Sequence, residues 1–94
     1  ADGLAFRTEN TSVDYNPTYA EHMRILNNGN VGIGTNNPTT VLEVNGDIQT
    51  GSADAFYFGE PTTNGTWRIV RDGNDLSFER REGGVWVFKM KIND

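Results

Sequence analysis

The chain of 94 residues contains no cysteine and a single histidine. The first absence excludes disulfides and fits any compartment. The second leaves a His-based metal site without a second ligand of its kind within one chain. No apolar run approaches the roughly 18–20 residues of a membrane span, so no membrane insertion is expected. A basic start followed by an apolar stretch is missing, and so is any signal-peptide pattern. The abrupt start at Ala1-Asp2-Gly3 reads as an excerpt of something longer, with targeting signals outside it. Helix signals are nearly absent. One Gly- and Pro-free stretch, Thr18–Leu26, has an early part (Tyr19–Met23) that Pro17 would suit as a helix start.

What is present is polar and glycine-rich. Hydrophobic residues make up 35%, with 11 glycines and a mean hydropathy of -0.59. So small and polar a chain has little apolar area to offset the entropy of ordering itself. Disulfides, metal or oligomerisation usually make up such a shortfall, and here oligomerisation is what remains. The net charge of -5 argues against a nucleic-acid partner held through phosphates. Residues 1–47 hold two basic and six acidic residues, net -4, against six and seven, net -1, in residues 48–94. The second half thus resembles a solvated sheet face rather than a tail.

Met23-Arg-Ile-Leu26 followed by Asn27-Asn28-Gly29-Asn30 favours a strand and a tight hairpin turn over the helix. Val31-Gly-Ile-Gly-Thr35 then alternates apolar residues with glycine, which leaves one face without side chains. That weakens an isolated strand but suits the close approach of another backbone, as near a three-fold axis. Asn36-Asn37-Pro38 breaks the chain, and Val41–Val44 makes a short strand ending at a second Asn-Gly pair before Asp47-Ile48.

The run Met23-Arg-Ile-Leu-Asn-Asn-Gly-Asn-Val-Gly-Ile-Gly-Thr-Asn-Asn-Pro38, with Leu42-Glu-Val-Asn-Gly-Asp-Ile48, resembles a module of phage tail fibres and related trimeric bacterial surface fibres. The resemblance covers roughly residues 20–48, and Gly3–Thr8 is similar to the strand that commonly precedes the module. It implies a homotrimeric shaft in a virion tail fibre or on a bacterial surface, each strand packing on its equivalents in two other chains. The module often lies upstream of a self-cleaving chaperone domain. That domain is not evident here, so autoproteolysis is not carried over.

Gly51–Asp54 reads as a linker, placing a boundary between a shaft-like β module (1–50) and a β-meander (51–94). Ala55–Phe58, Thr66–Arg71, Leu76–Arg80 and Val85–Ile92 read as strands joined by Gly-bearing turns. In the last of them, alternation places Trp86, Phe88, Met90 and Ile92 on one face. A single sheet cannot bury its apolar face alone, whereas three copies about an axis can.

Few residues point to chemistry. Gly32-Ile-Gly34 lacks the third glycine and the helix of a dinucleotide fingerprint, so no cofactor is expected. His22 has no companion, and the closely spaced His pairs by which some tail-fibre tips bind metal are missing. Asp72-Gly-Asn-Asp75 offers oxygen ligands without the spacing of a calcium loop, and a hairpin turn accounts for it. Glycoside hydrolysis would need two carboxylates held across a cleft, for which a meander of this size has little room. The expectation is therefore a non-enzyme. Asn10-Thr-Ser12 and Asn64-Gly-Thr66 match the glycosylation pattern, as chance allows in an Asn- and Thr-rich chain.

The aromatic and basic residues carry the most. Tyr57 and Trp67, with Arg68 and Arg71, have the character of a sugar- or protein-binding surface. Alternation assigns Trp86 to the core and leaves Trp67 open between core and surface. Tyr57 should face away from Phe56 and Phe58. The expected fold is all-β, an intertwined trimeric fibre with a stalk-like N-terminal part followed by a small antiparallel meander. Its expected role is assembly and attachment to a host cell-surface glycan or outer-membrane receptor. The alternative is a monomeric β-sandwich carbohydrate-binding module, which would need a core within one chain.

Overall fold

A computed structural model describes residues 2–9 and 19–93. The described residues contain eight strands in two four-stranded sheets and no helix. The chain divides into two units, Ala1–Ile48 and Gln49–Asp94, each built on its own sheet. Pro17, Thr18 and the Asn10-Thr-Ser12 pattern lie outside the described residues.

In the first unit β1 (Leu4–Glu9), β2 (Tyr19–Ile25), β3 (Val31–Ile33) and β4 (Leu42–Val44) lie in that order. The stretch Tyr19–Met23, open to a helix in the sequence, is strand. The expected turn closes the β2–β3 hairpin. Gly29 takes φ 93° there, and Leu26 N donates to Asn30 O at 2.8 Å. A left-handed conformation of this kind is one that glycine adopts at no steric cost.

The sequence extends β3 to Thr35, but it stops at Ile33, because Gly34 turns the chain at φ 76°. Residues 34–41 then cross over to β4, which pairs with β3 in parallel. This crossover covers Gly32, where a Cβ would collide with the Thr35 carbonyl and lie 3.1 Å from Pro38 Cδ. Gly32 and Pro38 are both buried. The expected close approach of another backbone is thus present at Gly32, and it is made by the chain's own loop. The second Asn-Gly pair ends β4 without opening a further strand.

In the second unit β5 (Ala55–Phe58), β6 (Trp67–Asp72), β7 (Asp75–Glu82) and β8 (Val85–Ile92) form an antiparallel meander. Gly73 at φ 61° and the Gly83-Gly84 pair at 60° and 82° make its two tight turns.

One strand departs from simple alternation. Phe78 pairs with Met90 and the next residue, Glu79, with Phe88, so Lys89 is inserted as a β-bulge. An extra residue reverses the facing of everything beyond it. Trp86 and Phe88 therefore share the Glu79 and Arg81 face, while Met90 and Ile92 share the Phe78 and Leu76 face. The expectation that all four share one face is overturned for this reason. A bulge at His22 acts similarly in β2, since Phe6 pairs with Met23 and Arg7 with Glu21.

The distribution of buried residues is the reverse of an ordinary core. Among the described residues Val70 is the one buried hydrophobic side chain, at 8% exposure. Ser77, at 0%, Glu79, Arg24 and Thr66 are the buried polar ones. Phe56, Phe58, Trp67, Leu76, Met90 and Ile92 are exposed. Leu4, Phe6, Ile33 and Leu42 are likewise exposed on the first sheet.

Candidate functional site

Strand pairing sorts the meander into two faces. The first carries Tyr57, Arg68, Val70, Ser77, Glu79, Arg81, Trp86 and Phe88, and the second Phe56, Phe58, Trp67, Ile69, Arg71 and Phe78 with their partners. Of the four residues singled out from the sequence, Tyr57 and Arg68 thus lie on one face and Trp67 and Arg71 on the other. The fold does not bring them together as one surface. Tyr57 does face away from Phe56 and Phe58, and it is exposed.

On the first face Arg68 is the centre of a compact cluster. Its Nε and Nη2 lie 2.7 Å and 2.6 Å from Glu79 Oε1. Ser77 Oγ donates to the other carboxylate oxygen at 2.9 Å. The guanidinium lies 4.3 Å from the Trp86 ring centroid, a cation–π arrangement. Tyr57 meets Trp86 at 5.8 Å with the rings tilted by 53°. A flat sheet would set β5 and β8 about 14 Å apart. The contact between their aromatic rings shows that Tyr57 and Trp86 lean toward each other over the polar floor of this face. Trp86 is therefore half-buried between an aromatic and a cation, and not in an apolar core with Met90 as its alternation suggested.

Arg81 belongs to the same face, and its buried Nε lacks a hydrogen-bond partner. At the end of the face Lys91 donates to Asp72 Oδ2 at 2.9 Å and lies 5.0 Å from the Phe88 ring centroid. That hydrogen bond holds the Asp72 carboxyl below its ordinary pKa and raises the Lys91 ammonium above its own.

The opposite face is largely apolar. Across the sheet Phe58, Trp67, Arg80 and Val87 form one row, and Phe56, Ile69, Phe78 and Met90 the next. Arg80 lies 5.6 Å from the Trp67 ring centroid and bonds to Glu82, which also receives Lys89 at 2.7 Å. Lys89 first and Arg80 second hold the Glu82 carboxyl below its usual range. Arg71 directs its Nε to the Gly73 carbonyl at 2.7 Å.

The remaining sequence candidates are held in local structure. His22 stands at the β2 bulge with Nε2 2.6 Å from Thr8 Oγ1. Asn64 Oδ1 accepts from Gly84 N at 3.0 Å, and Thr66 Oγ1 donates to the Glu60 carbonyl at 2.7 Å. Glu60 caps its own turn through Thr62 and Thr63, and these bonds, Thr62's first, lower its pKa. Asp72 and Asp75 pair across the Gly73 turn. Among the described residues no three His, Cys, Asp or Glu side chains are grouped to hold a metal ion.

The first unit bears an open depression of about 560 Å³ lined by Glu21, Gly34, Thr35, Asn36, Glu43 and Asn45. Both of its carboxylates are engaged. Glu21 is bound to Arg24, and Glu43 accepts from Thr39 N at 2.9 Å.

Sequence reading missed the Ser77–Glu79–Arg68 floor, although the alternation of polar residues at 77, 79 and 81 was a signal for a second, polar face. Against known proteins, no family model matches the chain, and no curated protein matches it.

Proposed function

We propose that the chain is a segment of a trimeric β-rich fibre of the phage tail-fibre kind. Its role is non-catalytic, in assembly and in attachment to a host-surface glycan or outer-membrane receptor. The observation that carries this reading is the inversion of burial. Val70 is the one buried hydrophobic side chain among the described residues, while each sheet leaves one apolar face bare. Described residues so arranged offer little of the core that a small chain needs to stay folded alone. Association of like chains supplies the missing burial, and three equivalent copies raise avidity for a repeated receptor without a strong single site.

The resemblance of residues 20–48 to the fibre module gives the reading its fibre character. A monomeric carbohydrate-binding module would need its apolar residues buried within one chain, whereas within each unit the sheet leaves its apolar face exposed. Light scattering after gel filtration of the purified chain, across a dilution series, tests the proposal. A stable mass near three times 10.4 kDa supports it. A monomer with cooperative unfolding would sink it and restore the single-chain module.

A further inference from the structure

We infer that the second-unit face running from Phe58 through Phe78 to Ile92 is buried against further copies of this chain, and that the Lys89 bulge selects which part of β8 joins that interface. The inference rests on the trimeric reading above and adds to it the surface that makes the trimer. Along the ladder this face is apolar at every position except Arg71, Arg80 and Glu82.

Its size is sufficient. Aromatic side chains present about 150–250 Å² each and large aliphatic ones somewhat less, so the exposed fractions on this face amount to on the order of 700 Å². A specific, stable interface takes about 600–1,000 Å² from each partner, a range that includes this face. A patch of this extent on a lone soluble chain exceeds the few hundred Å² that such surfaces ordinarily leave uncovered.

Its charge is compatible with a second copy, since the single acid on the face is ion-paired and the cation without an acid, Arg71, bonds to the Gly73 carbonyl. The chain carries a net charge of -5, so like copies repel wherever their acids meet. The meander keeps Asp72, Asp75 and Glu79 on the opposite face. Glu82, the one acid on the apolar face, is neutralised at its corner by Arg80 and Lys89. A net-negative chain has thus cleared acids from the surface that would meet its own copy. The first sheet repeats the arrangement. Leu4, Phe6, Ile33 and Leu42 lie exposed on one face, with the Arg24–Glu21 pair on the other. Like chains associating can cover both bare faces at once.

The two residues flanking Lys89 provide the test. Phe88 and Met90 are similarly exposed, at 62% and 54%, but lie on opposite faces. In the full chain, Met90→Glu is expected to shift the scattering mass from about three times 10.4 kDa to the single-chain value. Phe88→Glu is expected to keep the trimer.

Because the chain has no cysteine, Met90→Cys and Phe88→Cys give a second readout by thiol labelling under native conditions. The Met90→Cys thiol should react at least tenfold more slowly than the Phe88→Cys thiol. A wild-type trimer in which both Glu variants stay trimeric, or both thiols react alike, overturns the assignment of the face and leaves the trimer standing. A wild-type monomer removes the trimeric reading itself, and leaves the face for a different protein.

Discussion

Arg68 and Glu79 face each other as a directly paired couple across β6 and β7, with Nη2 2.6 Å from Oε1. The carboxylate is fully used, since its other oxygen accepts from the buried Ser77 hydroxyl. Removing one member of such a pair strands the other's charge in a largely desolvated place. Glu79→Ala should lower the unfolding free energy by about 2–3 kcal/mol, and Ser77→Ala by about 1 kcal/mol. Urea unfolding at fixed chain concentration measures both. A Glu79→Ala cost under about 0.5 kcal/mol would place the couple among ordinary surface ion pairs.

In the first unit Arg24 reaches back three residues to Glu21, with Nη2 2.5 Å from Oε1. Residues three apart in a regular strand point to opposite faces. These two share a face because the His22 bulge lies between them. Arg24 is buried, and its other bond is to the Asp2 carbonyl at 3.2 Å. Glu21→Ala should therefore cost about 2–3 kcal/mol, and a Glu21→Ala, Arg24→Met double variant distinctly less. Equal losses in the single and double variants would show that the pair itself is not what matters.

Gly32 has a backbone conformation open to any residue but no room for a side chain. A Cβ would press on the Thr35 carbonyl and on Pro38. Gly32→Ala should push the crossover loop off the sheet, with a cost of about 1–3 kcal/mol for overpacking. Gly29, where nothing lies near an added Cβ, tests a different constraint, its positive φ. Gly32→Ala with unchanged stability would mean that the loop does not hold β4 in place.

Three carboxylates sit below their ordinary pKa: Glu60 through Thr62, Asp72 through Lys91, and Glu82 through Lys89 and then Arg80. A depressed native pKa gives stability that is fully present above the unfolded value of about 4 and is lost as pH falls through the native one. Lys91 is raised, so its share is full below the unfolded value of about 10.4 and is lost as pH rises through the native one. Thermal melts should show a plateau through neutral pH with a decline at each end. Asp72→Asn should soften both declines, because it removes the partner that shifts Lys91.

Much of the architecture was legible in the chain. Val70 aside, the described residues bury no hydrophobic side chain, so turn chemistry and local alternation set the strands more than a core does. Asn27–Asn30, the Gly73 turn and the Gly83-Gly84 turn all stand between strands that the sequence marks. The candidate site was less legible. Tyr57, Trp67, Arg68 and Arg71 are close in sequence, but Trp67 and Arg68 are adjacent in a strand and necessarily face apart.

Composition and spacing by themselves determined that the described residues are built of short strands and turns. Tertiary structure decided which face each residue occupies. The bulges at His22 and Lys89 have no mark in the sequence, because an inserted residue is defined by the strand opposite it. Each reverses the facing of the residues beyond it, bringing Glu21 to Arg24 and separating Trp86 from Met90. The parallel pairing of β3 and β4 likewise depends on the crossover folding back over Gly32, a contact between segments that no local pattern encodes.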